Sequence, residues 1–99
     1  SVNKPFKEYK VMVIDDDDDV RNLIEAQLGK YFTVSTASNG VEGLEKLIGE
    51  QPDIVVCDVM MPEMDGLEFT KRLKANFNIS HIPVILLTAY SSEERSLLV

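Results

Sequence analysis

A single cysteine, Cys57, rules out an intrachain disulfide and any multi-cysteine zinc site. Its place inside the apolar run Ile54-Val55-Val56-Cys57 makes it a buried small hydrophobe. Long apolar stretches are also lacking. None approaches the ~18–20 residues that span a bilayer, and no charged-then-apolar leader is present. Basic residues are few, ten against seventeen acidic ones, which gives a net charge of −7. They are scattered, and the one local pair, Lys71-Arg72, fits the wet side of a helix. Phosphate-backbone binding needs a clustered basic face, so no direct contact with nucleic acid is expected. No membrane association is expected either, and the cytoplasm is the expected compartment. The chain starts at Ser1 without methionine, so a longer parent is expected.

What is present is a small soluble domain: 44% hydrophobic and 27% charged residues over 99 positions. Residues 10–14 read as a buried strand, apolar at Val11, Met12, Val13 and Ile14. Val20, Leu23, Ile24, Gln27 and Leu28 recur at helical spacing, with Gly29 as the stop. The β-branched run 33–37 reads as an outer strand with one wetter face. After the turn Ser38-Asn39-Gly40, a second amphipathic helix carries Val41, Leu44, Leu47 and Ile48 and closes at Gly49. A strand over 54–57 leads into a loop whose turn chemistry is Pro62 and Asp65-Gly66. A third helix carries Phe69, Leu73 and Phe77 at i, i+4 and i+8. Pro83 opens a strand over 83–88, and Ser91 with Glu94 has capping-box spacing for a fourth helix. Strands alternating with helices imply a parallel α/β sheet. The nearly continuous apolar runs imply strands covered on both faces.

Each main strand ends in oxygen. Five aspartates, Asp15 to Asp19, follow the first strand, Asp58 ends the third, and Thr88 ends the fourth. If these strands are parallel neighbours, Asp15, Asp16, Asp58 and Thr88 share the sheet edge where open α/β sheets bind ligands. Mg²⁺ takes one or two carboxylates, several waters and a phosphate oxygen. A carboxylate can itself attack phosphorus, and Thr88 could hydrogen-bond a phosphoryl oxygen. A phosphoryl-accepting aspartate beside Mg²⁺ is therefore the leading reading. Crowded carboxylates repel, so at least one should have a raised pKa without the metal. A run of acids is usually a solvated stretch. That ordinary reading holds for Asp17, Asp18 and Asp19, which suit the positive end of a helix. His81, in the connection before the fourth strand, lies at the opposite sheet edge and reads as a surface or packing residue. Met60, Met61 and Met64 read as loop packing, because a soft-metal site lacks a Cys or His partner there.

From Tyr9 to its end, the chain resembles the response-regulator receiver domains of two-component signalling. The resemblance rests on Asp15-Asp16, Asp58, Met61-Pro62 with Asp65-Gly66, and Thr88-Ala89, in that order. The wording DVMMPEMDG and SHIPVILLTA is also similar to receivers inside hybrid sensor kinases. The resemblance implies a flavodoxin-like doubly wound parallel sheet in strand order 2-1-3-4. The fifth strand and its helix, and the family's lysine after that strand, have no counterpart in the 99 residues. The expected organisation is one receiver domain over 1–99, with 1–8 as an N-terminal extension and the C-terminal part incomplete. The resemblance further implies that Asp58 accepts the phosphoryl group and that Asp16 and Asp58 bind Mg²⁺. The Met60 main-chain carbonyl completes the protein ligands, and Asp15 acts close by through water. Thr88 is the switch hydroxyl, with small Ala89 leaving it room.

The implied function is a signalling switch rather than an enzyme. It takes phosphate from a histidine kinase, assists its own phosphorylation and dephosphorylation, and changes affinity for an output or kinase domain of the parent chain. A non-phosphorylated interaction module is one alternative. An aspartate-nucleophile phosphohydrolase is another, but its general acid belongs two residues after the nucleophile, where Met60 stands. The open edge left beside residues 83–88 predicts self-association of the 99-residue chain.

Overall fold

The computed structural model describes residues 5–88. After a single 3-10 turn at Phe6–Glu8, strands and helices alternate: β1 (Lys10–Ile14), α1 (Asp18–Leu28), β2 (Thr33–Ala37), α2 (Gly40–Glu50), β3 (Ile54–Asp58), α3 (Gly66–Ala75) and β4 (Val84–Leu87). All pairings are parallel, in the order β2-β1-β3-β4. The fourth helix read at Ser91–Glu94, and Ala89 beside Thr88, lie outside the described residues.

Side chains alternate along a strand, so β1 feeds two cores. Met12 and Ile14 join Val55, Cys57, Leu47, Phe69 and Leu73 under α2 and α3. Val11 and Val13 face the other side, where α1 lies, and are also buried. The two faces are closed to different degrees. On the α2–α3 face, Leu47, Phe69 and Leu73 are fully buried. On the α1 face no residue of the helix itself is buried. An open apolar groove of about 490 Å³ there is lined by Val11, Leu28, Phe32, Ile54, Val56 and Ile85, among others.

Several local expectations needed correction. Helix α1 opens at Asp18 because Asp17 caps it, its carboxylate accepting from the main-chain N–H groups of Asp19 and Val20. Gly49 does not close α2, which runs through Glu50 and ends at Gln51, whose φ of 48° turns the chain. Asn39-Gly40 is more than a turn: Asn39 caps α2 through the Glu42 N–H. Phe77 is no part of α3. The helix stops at Ala75, and Phe77 is 92% exposed. Strand β3 takes in Asp58, and β4 covers 84–87 rather than 83–88. Asp65-Gly66, read as turn chemistry, is the start of a helix. Asp65 is the N-cap of α3, and the left-handed residue of that loop is Glu63, at φ 67°.

Candidate functional site

The strand register brings the acidic residues together. Ile14 pairs with Cys57, which places Asp15 and Asp58 side by side just beyond that pair. Asp58 in turn pairs with Leu87, so Thr88 follows at the same edge and is exposed. One carboxylate oxygen each from Asp15, Asp16 and Asp58 lie within 4.8 Å of one another. Asp15 and Asp58 are buried, at 5% and 9% exposure, and Asp16 is exposed. The cluster therefore combines two buried carboxylates with one exposed one.

Local hydrogen bonds set these carboxylates. Asp15 receives the Asp17 N–H at 2.9 Å on Oδ1, and its own N–H donates to the Ala37 carbonyl at 3.2 Å. Asp58 Oδ1 accepts the Met60 N–H at 3.2 Å. Burial pushes the Asp15 carboxyl above its usual value of 3.8. The Asp17 hydrogen bond opposes that shift, and the charges of Asp58, Asp16 and Asp17 reinforce it. Metal-free, the cluster is thus under electrostatic strain that a cation would relieve. Cys57 takes no part: burial pushes its thiol up to about 12, and its Sγ donates to the Asp58 carbonyl. His81 is exposed and precedes β4, at the far edge from the acids, as expected. Met61 and Met64 are buried and join the core, again as expected, whereas Met60 is 63% exposed at the mouth of the site.

One neighbour was missed in the sequence. The Arg21 guanidinium donates to the Asp15 carbonyl at 2.8 Å and pairs with Asp18. It ties the first turn of α1 to the end of β1. The available signal was a lone arginine three residues after Asp18, at helical i,i+3 spacing in an otherwise acidic segment.

The donor set suits Mg²⁺. It is all oxygen, three carboxylates together with one of them exposed, and Mg²⁺ is held by carboxylates and waters. A four-stranded parallel sheet in this order, with this edge, defines a flavodoxin-like fold of CheY type. The chain belongs to the response regulator receiver domain family, whose model matches residues 11–97. It is 41% identical over 91 residues to hybrid signal transduction histidine kinase D of Dictyostelium discoideum, covering 92% of this chain and 6% of that protein. It is 42% identical over 81 residues to the response regulator PleD of Caulobacter vibrioides, covering 81% of this chain and 18% of that protein. Among solved structures, the N-terminal domain of a response regulator receiver protein from Methanoculleus marisnigri superposes with a TM-score of 0.80 at 35% identity. That match covers 90% of this chain and 75% of the other. The chain thus spans less than a fifth of either curated relative. Receiver domains are phosphoacceptor modules of two-component signalling, and this chain is one of them.

Proposed function

We propose that Asp58 is the phosphoacceptor and that the donor is the phosphohistidine of a histidine kinase. A carboxylate oxygen of Asp58 attacks phosphorus, the phosphorus–nitrogen bond breaks, and the departing imidazole takes up a proton from solvent. Asp16 and Asp58, with the Met60 carbonyl, would hold Mg²⁺, which would neutralise charge on the phosphoryl oxygens during transfer. Asp15, buried and raised in pKa, would steady the site through a metal-bound water. Thr88, exposed at the same edge, would turn its hydroxyl to the phosphoryl group and so carry the change toward a partner. The observation that carries this reading is the meeting of Asp15, Asp16 and Asp58 within 4.8 Å at the ends of two adjacent parallel strands.

The partner in this reading is an output or kinase domain of the parent protein, in the cytoplasm; among the described residues no helix is long and apolar enough to cross a membrane. The function is that of a switch and not a turnover enzyme, because Met60 stands where a phosphohydrolase needs its general acid. We also expect the 99-residue chain to self-associate. Among the described residues β4 pairs only with β3, and Ile85 and Leu87 are 47% and 37% exposed. Mass spectrometry after treatment with a small phosphodonor and Mg²⁺ tests the main reading. A persistent adduct of one phosphoryl group is expected. Rapid release of free phosphate would indicate a hydrolase instead, and no adduct would indicate an inert module.

A further inference from the structure

Gly66 occupies the first position of α3, although glycine is a poor helix former in general. Backbone freedom does not account for it, since no glycine among the described residues has a positive φ. Space does. A Cβ at Gly66 would lie 2.6 Å from the Asp58 carbonyl oxygen, 2.8 Å from the Val59 Cα and 3.0 Å from Leu86 Cδ2. The first two are main-chain atoms, which cannot swing aside as a side-chain tip can.

The peptide that would have to move is the one joining Asp58 to Val59. Its own N–H, of Val59, donates to the Leu87 carbonyl at 3.0 Å, and the carbonyl of the following peptide, of Val59, accepts the Gly66 N–H at 2.9 Å. The next N–H, of Met60, donates to the Asp58 carboxylate. Any shift of this peptide therefore displaces both the Asp58 carboxylate and the Met60 carbonyl.

We infer that Gly66 is a positioning residue. Its missing side chain lets α3 close on the Asp58–Met60 segment, and that contact sets the segment's affinity for a divalent cation. The inference rests on the metal reading proposed above. It touches no reacting atom and acts only through main-chain placement.

The test is hydrogen exchange with mass spectrometry on the whole protein, following peptides over 10–17 and 59–66 through a Mg²⁺ titration. In the unmodified protein both should gain protection with one midpoint, because opening the Gly66 contact releases a metal ligand. In Gly66→Ala the midpoint should rise about tenfold or more, the size seen when the support of a metal ligand is lost. Gly49→Ala, where nothing lies within 4 Å of the new Cβ, should leave it unchanged. Leu47→Ala removes a fully buried side chain from the same helix, α2. It should lower stability and also leave the midpoint unchanged.

A folded Gly66→Ala with the original midpoint overturns the inference, as does a Leu47→Ala midpoint that shifts equally. Should Gly66→Ala not fold, the unmodified protein decides. Mg²⁺-dependent protection over 10–17 without any over 59–66 overturns the role of Gly66 alone. No Mg²⁺ dependence in either peptide overturns the metal reading and this inference with it.

Discussion

The two loops that flank the candidate site are built in opposite ways. The β1–α1 loop is three residues long, acidic and mostly wet, and polar bonds hold it: the Asp17 N–H to Asp15, the Asp17 cap on α1, and Arg21 on the Asp15 carbonyl. The β3–α3 loop covers seven residues, 59–65, and is held by packing. Met61 and Met64 are buried in the core, Met64 lies over Gly40 at the start of α2, and Gly66 closes on the main chain behind Asp58. One loop can lose a bond and keep its shape. The other depends on close contacts that a single side chain opens or jams, which couples its stability to its chemistry.

The largest way to break this contrast is Met64→Ala. Truncating a buried Met costs about 2–5 kcal/mol, and urea denaturation should show a loss in that range, accompanied by weaker Mg²⁺ binding. Asp17→Ala attacks the other loop. Losing an N-cap costs about 1 kcal/mol, and here Mg²⁺ binding should stay near its original strength. If Asp17→Ala weakens the metal as much as Met64→Ala does, the two loops do not differ as described.

Asp15→Asn sharpens the contrast. Because the folded-state pKa of Asp15 is raised, folding favours its protonated form. Its contribution to stability is fully present below the unfolded value and is lost as pH rises through the folded one. At neutral pH the ionised group is therefore a net cost in the metal-free protein. Asp15→Asn should raise the metal-free melting temperature, keep the hydrogen bond from the Asp17 N–H, and shrink the further rise that Mg²⁺ produces. A lower melting temperature would contradict this.

The β2–α2 loop, at the same edge but without a role in the chemistry, supplies the smallest effect. Ser38 donates its main-chain N–H and its hydroxyl to Glu42 at 2.6 and 2.9 Å, holding that carboxyl below its usual 4.5. A depressed carboxylate stabilises above its unfolded pKa, and that share is lost as pH falls through the folded value. Glu42→Gln should therefore lose a little stability at neutral pH, where that share is fully present, and almost none well below about pH 4.5, so that the acid limb of the stability curve flattens slightly.

The candidate site was legible in the sequence because its residues sit at strand ends. Asp15, Asp16, Asp58 and Thr88 each follow an apolar run, and parallel pairing gathers them without any knowledge of side-chain contacts. The sheet order came from the family resemblance, and the register then confirmed it. What escaped was information carried by absence or by long-range contact. Gly66 reads as a turn residue because nothing in the sequence records how closely two backbones approach. Gly49 looks like a helix stop, yet the positive φ falls at Gln51. The apolar period of α3 continues to Phe77, but the helix stops at Ala75 and is capped by Asn76, whose N–H bonds back to the Leu73 carbonyl. Periodicity cannot show where a backbone leaves the helix.

The central claim is that Asp58, and no other member of the aspartate cluster, takes the phosphoryl group. The direct measurement is mass spectrometry of the phosphodonor-treated whole protein, comparing the original sequence with Asp58→Asn and Asp17→Asn. The account predicts one phosphoryl group localised to Asp58, none on this domain in Asp58→Asn, and nearly full labelling in Asp17→Asn. Labelling of this domain that persists in Asp58→Asn would contradict it.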